Sequence, residues 1–205
     1  MKQLTDPIQY TVYRDGLPGS PDYVYPENYP SGKILGYELE MRKNLRFISD
    51  WLRDLTAGAN ATFQKSTVDY SDILMNKLRF TGVTSDSRPM DGQPAYLYNI
   101  NLFYDNEPSG VSLGIFYNMK GETYVGGESW NPGAYTPNLV EKPIGSLDIT
   151  FGYKFAKNWR LGLEAKNLLN PSVESIYRSS VWNKDQPRSS YRPGRTYSMS
   201  LGCTF

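Results

Sequence analysis

The chain has 205 residues, a formal net charge of +1 and a mean hydropathy of −0.55, with 39% hydrophobic residues. It contains no run of about 18 apolar residues, which excludes transmembrane helices, and no basic stripe that would mark a nucleic-acid surface. One cysteine and no histidine exclude an intrachain disulfide and remove the commonest metal ligand and general base. A membrane β-barrel stays open, because only half of each of its strands is apolar and its loops are polar.

Along the chain the dominant signal is alternation with a period of two, the mark of strands whose faces meet different surroundings. A weak first strand is expected at Ile8–Tyr13. Leu35, Tyr37, Leu39 and Met41 then oppose Gly36, Glu38, Glu40 and Arg42. Between Asn44 and Asp54, Leu45, Ile48, Trp51 and Leu52 suit one face of a short helical turn. Leu55, Ala57, Ala59, Ala61 and Phe63 oppose Thr56, Gly58, Asn60, Thr62 and Gln64. Tyr96 to Tyr104 alternates against Asn99, Asn101 and Asp105. Val111 to Met119 alternates against Ser112, Gly114, Asn118 and Lys120, with Phe116 breaking the polar side. Leu147 to Phe155 opposes Ser146, Asp148, Thr150, Gly152 and Lys154, and Trp159 to Ala165 opposes Arg160, Gly162, Glu164 and Lys166. The last strand is the cleanest: Tyr197, Met199, Leu201, Cys203 and Phe205 lie on one face, and Ser198, Ser200, Gly202 and Thr204 on the other. Eight strands and essentially no helix are expected.

The links alternate in length. Asn106–Gly110 and Ala156–Asn158 read as tight turns, whereas Arg14–Gly32, Asp69–Pro94, Glu122–Pro143 and Asn170–Arg192 are long. An all-β, antiparallel, up-and-down transmembrane barrel segment accounts for this, with short periplasmic turns and long extracellular loops. Charges at the density of Asp148, Lys154, Arg160, Glu164 and Lys166 suit a wet lumen and would be costly in a small dry core. Tyr153, Phe155, Trp159 and Tyr104 gather near the tight turns, as in an interfacial aromatic girdle. Two alternatives are open on the residues alone: a self-contained eight-stranded outer-membrane barrel with a structural role, or a soluble ligand-binding β-barrel with its faces reversed.

Several segments, in order, resemble the C-terminal barrel of TonB-dependent outer-membrane receptors. Gly36-Tyr37-Glu38-Leu39-Glu40 is similar to the family's Gly-x-Glu-x-Glu strand, and Pro89 to Tyr96 to the segment leading into a downward strand. Glu141-Lys142-Pro143 with Leu147-Asp148 fits the next strand, Asn167-Leu168-Leu169-Asn170 the penultimate one, and Pro193-Gly194-Arg195 the approach to the last. Phe205 is similar to the terminal aromatic of the assembly signal, which would also use Tyr197, Met199 and Leu201.

The resemblance implies part of a barrel of about 22 strands with a plugged lumen. It implies uptake of an iron chelate, cobalamin, a glycan or a similar scarce nutrient, energised through TonB. The partners implied are outer-membrane lipid, the barrel-assembly machinery and, in a full-length receptor, TonB and the substrate. The location implied is the Gram-negative outer membrane, with the C-terminus periplasmic. Residues 1–205 are expected to be a single partial domain, because the sequence contains no plug, no TonB-contacting box and no export signal.

No catalytic constellation, cofactor or metal cluster is expected. A serine nucleophile lacks a histidine partner, and Glu38 and Glu40 read as solvated lumen charges. Cys203 reads as a small lipid-facing residue, and Arg195 is placed to pair with a lumen carboxylate. The loop aromatics Tyr124, Trp130, Tyr135, Tyr177, Trp182 and Tyr191 either stack on substrate or pack the loops together.

Overall fold

The computed structural model describes residues 1–14, 21–132, 134–156, 158–182 and 184–204. In chain order its strands are β1 (Lys2–Thr5), β2 (Ile8–Tyr13), β3 (Tyr23–Asn28), β4 (Ser31–Asn44) and β5 (Leu55–Asp69). Then follow helix α1 (Asp72–Arg79), β6 (Ser87–Arg88), β7 (Tyr96–Asn106), β8 (Val111–Lys120), β9 (Thr123–Gly126), β10 (Ser129–Asn131), β11 (Ala134–Thr136) and β12 (Asn138–Glu141). The chain ends with β13 (Ile144–Phe155), β14 (Trp159–Lys166), β15 (Val173–Arg178), β16 (Gln186–Tyr191) and β17 (Thr196–Cys203). The main sheet is antiparallel and runs β1-β4-β5-β7-β8-β13-β14-β17, with β6 appended to β5. This is the expected meander except at its first strand: the edge is β1, and Ile8–Tyr13, expected there, pairs with β3 in a separate sheet. The main sheet is open, since β1 and β17 are edges and are not paired with each other. The Asn44–Asp54 turn forms two short 3₁₀ turns, Leu45–Phe47 and Asp50–Leu52.

The register carries the alternation from strand to strand. One row across the sheet reads Leu55, Tyr104, Leu113, Phe151, Leu163 and Met199. A row on the opposite face reads Glu40, Asn60, Asn99, Asn118 and Ser146. The apolar face is open: Leu35, Leu39, Met41, Ile100, Met199 and Leu201 are all exposed. A soluble barrel with this face turned inward would have buried them. The exception on the polar face is structured. Phe116 meets Phe103 edge to face at 5.1 Å and its ring lies back over Gly114, where a Cβ would come within 2.8 Å of it.

The sheet is also slanted. The last pair before each tight turn moves from Asn44↔Thr56 to Asn106↔Val111 to Phe155↔Trp159. Followed through the register, the turns descend by about one residue per strand. With a rise of about 3.3 Å and a spacing of about 4.8 Å, this is a slant of roughly 35–40°, the tilt of strands in a barrel wall. Aromatic bands stand at both ends of the apolar face: Tyr153, Phe155 and Trp159 by the tight turns, and Tyr37, Phe63, Tyr98 and Tyr96 towards the long links.

Among the described residues, the eight strands along the wall sheet and the near absence of helix are as expected; beyond them, the long links hold further short strands and helix α1. The wall strands continue through them as a second tier. Outer strands β16-β15-β12-β9 repeat the order of wall strands β17-β14-β13-β8 beneath them, and β2–β3 extends the β1–β4 pair. The breaks between tiers fall on the segments that carry the family resemblance. Asn167 and Asn170 have positive φ angles of 55° and 46°, which asparagine tolerates better than most residues. The Asn167 Nδ2 donates to the Gly194 carbonyl at 2.6 Å, and the Gly194 N–H donates to Asn170 Oδ1 at 3.0 Å. The Asn-x-x-Asn and Pro-Gly-Arg motifs are therefore two halves of one clasp. Arg195 serves this clasp, donating to the Leu168 carbonyl at 2.8 Å, in place of the expected lumen carboxylate. Phe205 lies outside the described residues. Cys203 is half-buried at the end of β17.

Candidate functional site: the long-loop tier

Most of the buried core of the protein sits in the outer tier, with Val68 of β5 joining it from the top of the wall. One cluster gathers Tyr29, Val68, Tyr70, Leu74, Met75, Leu78, Val83 and Met90, with Leu4 and Ile34 packed against it. Leu4 pairs with Gly32, and Ile34 shares its face with Glu38 and Glu40, so the cluster lies on the polar face, at the top of the wall. Helix α1 presents it with Leu74, Met75 and Leu78. Ser71 caps the helix, its Oγ accepting the Leu74 N–H at 3.2 Å, and Lys77 and Arg79 close it at the end that favours cations. A second cluster joins Val12, Leu139 and Tyr177.

Three buried charged side chains, in two nodes, tie these segments together. The side chains of Arg88 and Asp91 are 2% and 7% exposed and pair in two bonds, 2.8 and 3.0 Å. Arg88 also donates to the Tyr10 carbonyl at 3.1 Å and lies 5.1 Å from the Tyr29 ring centroid. Asp91 in turn accepts the Tyr10 N–H at 2.7 Å. Burial alone pushes the Arg88 guanidinium down, but Asp91 and Tyr29 together outweigh this and the net shift is upward. Glu128, 1% exposed, accepts hydroxyls from Tyr70 at 2.8 Å, Tyr135 at 2.5 Å and Ser180 at 2.7 Å. Burial, reinforced by Glu128, pushes the Tyr135 hydroxyl up to about 12 and raises Tyr70 as well. Both stay protonated donors across the physiological range.

A third node closes the tier. Asp22 accepts from Arg14 Nε at 3.1 Å, from Arg188 Nε at 2.9 Å and from the Tyr177 hydroxyl. It thereby joins the hairpin above one edge of the sheet to the hairpin above the other. Burial raises the Asp22 carboxyl, but these three donors together outweigh burial and hold it below the usual carboxylate value. A carboxyl depressed on folding stabilises the fold above its unfolded pKa of about 3.9, and that stability is lost as the pH falls through the folded value. Hydrogen-exchange protection of β15 (Val173–Arg178) and β16 (Gln186–Tyr191) is therefore expected to hold from pH 7 to about pH 4.5 and to fall below about pH 4. Full protection at pH 2 would remove the role assigned to Asp22.

The six predicted loop aromatics divide into two groups. Trp130, Tyr135 and Trp182 come together near the surface: Tyr135 and Trp182 meet edge to face at 5.5 Å, and Trp130 lies 6.1 Å from Phe80. Phe80, 83% exposed, was not anticipated. Tyr177 is buried in the Asp22 node, Tyr124 is mostly buried beside Arg178, and Tyr191 stands exposed and apart on β16. The buried Arg88 and Glu128 were missed too, because nothing in their local sequence marks burial. No cluster of metal-ligating residues occurs among the described residues.

The family model for the TonB dependent receptor-like, beta-barrel matches residues 2–168. Among solved structures the chain is similar to one described as "Copper transporter OprC", with a TM-score of 0.59 and 16% identity over 99% of this chain and 27% of that one. At that identity the likeness is one of fold. The chain spans about a quarter of that transporter's length. No curated protein matches it.

Proposed function

The chain belongs to the TonB-dependent receptor β-barrel family, and from this premise we propose that residues 1–205 are a single partial domain, a wall segment and its loop cap, of an outer-membrane receptor that imports a scarce nutrient. The apolar face meets lipid and the polar face lines the lumen. The long-loop tier is extracellular, and the tight turns and C-terminus are periplasmic. Assembly runs through the barrel-assembly machinery, with Tyr197, Met199, Leu201 and Phe205 as its signal. In the full-length receptor TonB supplies the energy.

The observation that carries this reading is the one-sided placement of the outer tier. A wall built only to seal would have no use for buried charges above its polar face. Here the Tyr70–Ala95 segment leans over the lumen side, held by Arg88 and Glu128. The aromatics Trp130, Tyr135 and Trp182, with Phe80, are the surface this cap offers to a substrate with flat or apolar faces, such as a glycan, a cobalamin or an aromatic iron chelate.

The test expresses the full-length product and measures uptake of labelled members of these three classes. One of them is expected to enter in a manner abolished by a protonophore. The Trp130→Ala/Trp182→Ala pair is expected to lower that uptake about tenfold, on the scale of lost aromatic stacking contacts, with unchanged abundance in the outer membrane. Recovery of the product in the soluble fraction without detergent would sink the reading.

A further inference from the structure

The apolar face ends, towards the long loops, in two lysines. Lys65 lies two residues beyond Phe63 on β5, and Lys33 four residues beyond Tyr37 on β4. Both alternate onto the apolar face, with Lys33 opposite Thr67 and Lys65 opposite Leu35. They are diagonal neighbours across two paired strands, with backbones about 7–8 Å apart. Both are exposed. Among the described residues neither joins an ion pair. Asp69, the carboxylate two residues beyond Thr67 on the same face, accepts the Ser31 hydroxyl and forms no ion pair with either lysine. Gln3 pairs with Lys33 and adds a polar side chain on the same face.

Depth gives the pair its meaning. Lys65 is ten residues beyond Leu55, where β5 leaves its tight turn. At the slant of the wall this is a rise of about 25 Å, the height of the apolar band of such a barrel. The Tyr37 and Phe63 rings, 5.4 Å apart, form the interfacial shelf just below. Two like charges at this boundary repel each other unless an anion lies between them, and the falling dielectric there strengthens attraction to one.

We propose that Lys33 and Lys65, above the Tyr37–Phe63 shelf, bind the phosphate of an anionic glycolipid in the outer leaflet. The lipid's acyl chains lie along Leu35, Leu39 and Met41, and its phosphate bridges the two ammonium groups. The inference rests on the apolar face meeting lipid.

The test uses the full-length product in detergent, with native mass spectrometry reading bound lipid. The probes are bis-phosphorylated lipid A, its dephosphorylated form and inorganic phosphate. The bis-phosphorylated lipid is expected to be retained on the order of tenfold more strongly than the dephosphorylated one. Lys33→Ala/Lys65→Ala is expected to erase that difference, and Lys33→Arg/Lys65→Arg to keep it. Lys33→Gln/Lys65→Gln serves as the second neutral pair if the alanine pair fails to fold. Equal retention of both lipids by the unaltered protein, or an undiminished difference in the neutral pairs, would overturn the proposal. Displacement of the lipid by millimolar inorganic phosphate would identify a free-anion site and overturn the lipid assignment. If the product reaches the outer membrane and these lipid results fail, only this inference falls. Failure to reach the membrane removes the proposed function itself.

Discussion

Arg88→Ala is expected to destabilise the long-loop tier by about 3–5 kcal/mol, the cost of leaving a buried charge without its partner. Without the guanidinium, the buried Asp91 carboxylate keeps the backbone N–H of Tyr10 as its remaining donor, and the Tyr10 carbonyl loses its bond from Arg88. The effect should be confined to the tier. Limited proteolysis of the full-length product is expected to cut within Tyr70–Ala95, while heat-modifiable migration of the barrel is unchanged. The paired replacement Arg88→Met/Asp91→Leu is expected to recover part of the loss, because an apolar pair carries no charge-desolvation cost, while the Tyr10 N–H and carbonyl still lose their bonds to the pair. Unaltered protease resistance in Arg88→Ala would show that the pair holds nothing together.

Leu163→Arg is expected to cost about 2–4 kcal/mol in a bilayer, the penalty for a charge on the lipid face near the midplane. Leu163 lies midway along the wall portion of β14 and pairs with Phe151 and Met199 on the apolar face. The control is Ser198→Arg, one residue from Met199 but on the polar face and opposite Glu164. That change is expected to stay within about 0.5 kcal/mol, as for a solvated surface position. The measurement is the folded fraction of the full-length product in lipid vesicles. The reverse ranking would mean that the two faces have been assigned the wrong way round.

These two variants probe parts of the molecule that differ in how far the sequence reveals them. The wall was legible from the chain alone. A strand between lipid and a wet lumen meets two uniform media, and the period-two alternation of Tyr197, Met199 and Leu201 against Ser198, Ser200 and Gly202 records them directly. The tight turn at Asn106–Gly110 was legible from Pro108 and Gly110, and the Phe155↔Trp159 pair flanks the short link expected at Ala156–Asn158, whose middle residue lies outside the described residues. The motifs at Asn167–Asn170 and Pro193–Arg195 could be found in the sequence, but their purpose could not. Only the structure brings them together, across 24 residues between Asn170 and Gly194, as one clasp between the tiers.

Of the outer tier only β2 was legible, as the weak strand expected at Ile8–Tyr13. Strands β15 and β16 are short and polar, and each gains its place from a neighbour it meets after folding. Helix α1 carried a signal that was passed over: Ser71 as cap, with Leu74, Met75 and Leu78 on one face. The Arg88–Asp91 pair is local in sequence, but nothing local marks its burial or that of Glu128: Tyr10 and Tyr70, which meet Arg88 and Glu128, lie 78 and 58 residues away. The sequence by itself determined a slanted, two-faced wall, since burial there depends on each residue's parity along the strand. Tertiary structure alone decided the cap, where burial of a charge depends on which distant hydroxyl, carboxylate or carbonyl arrives beside it.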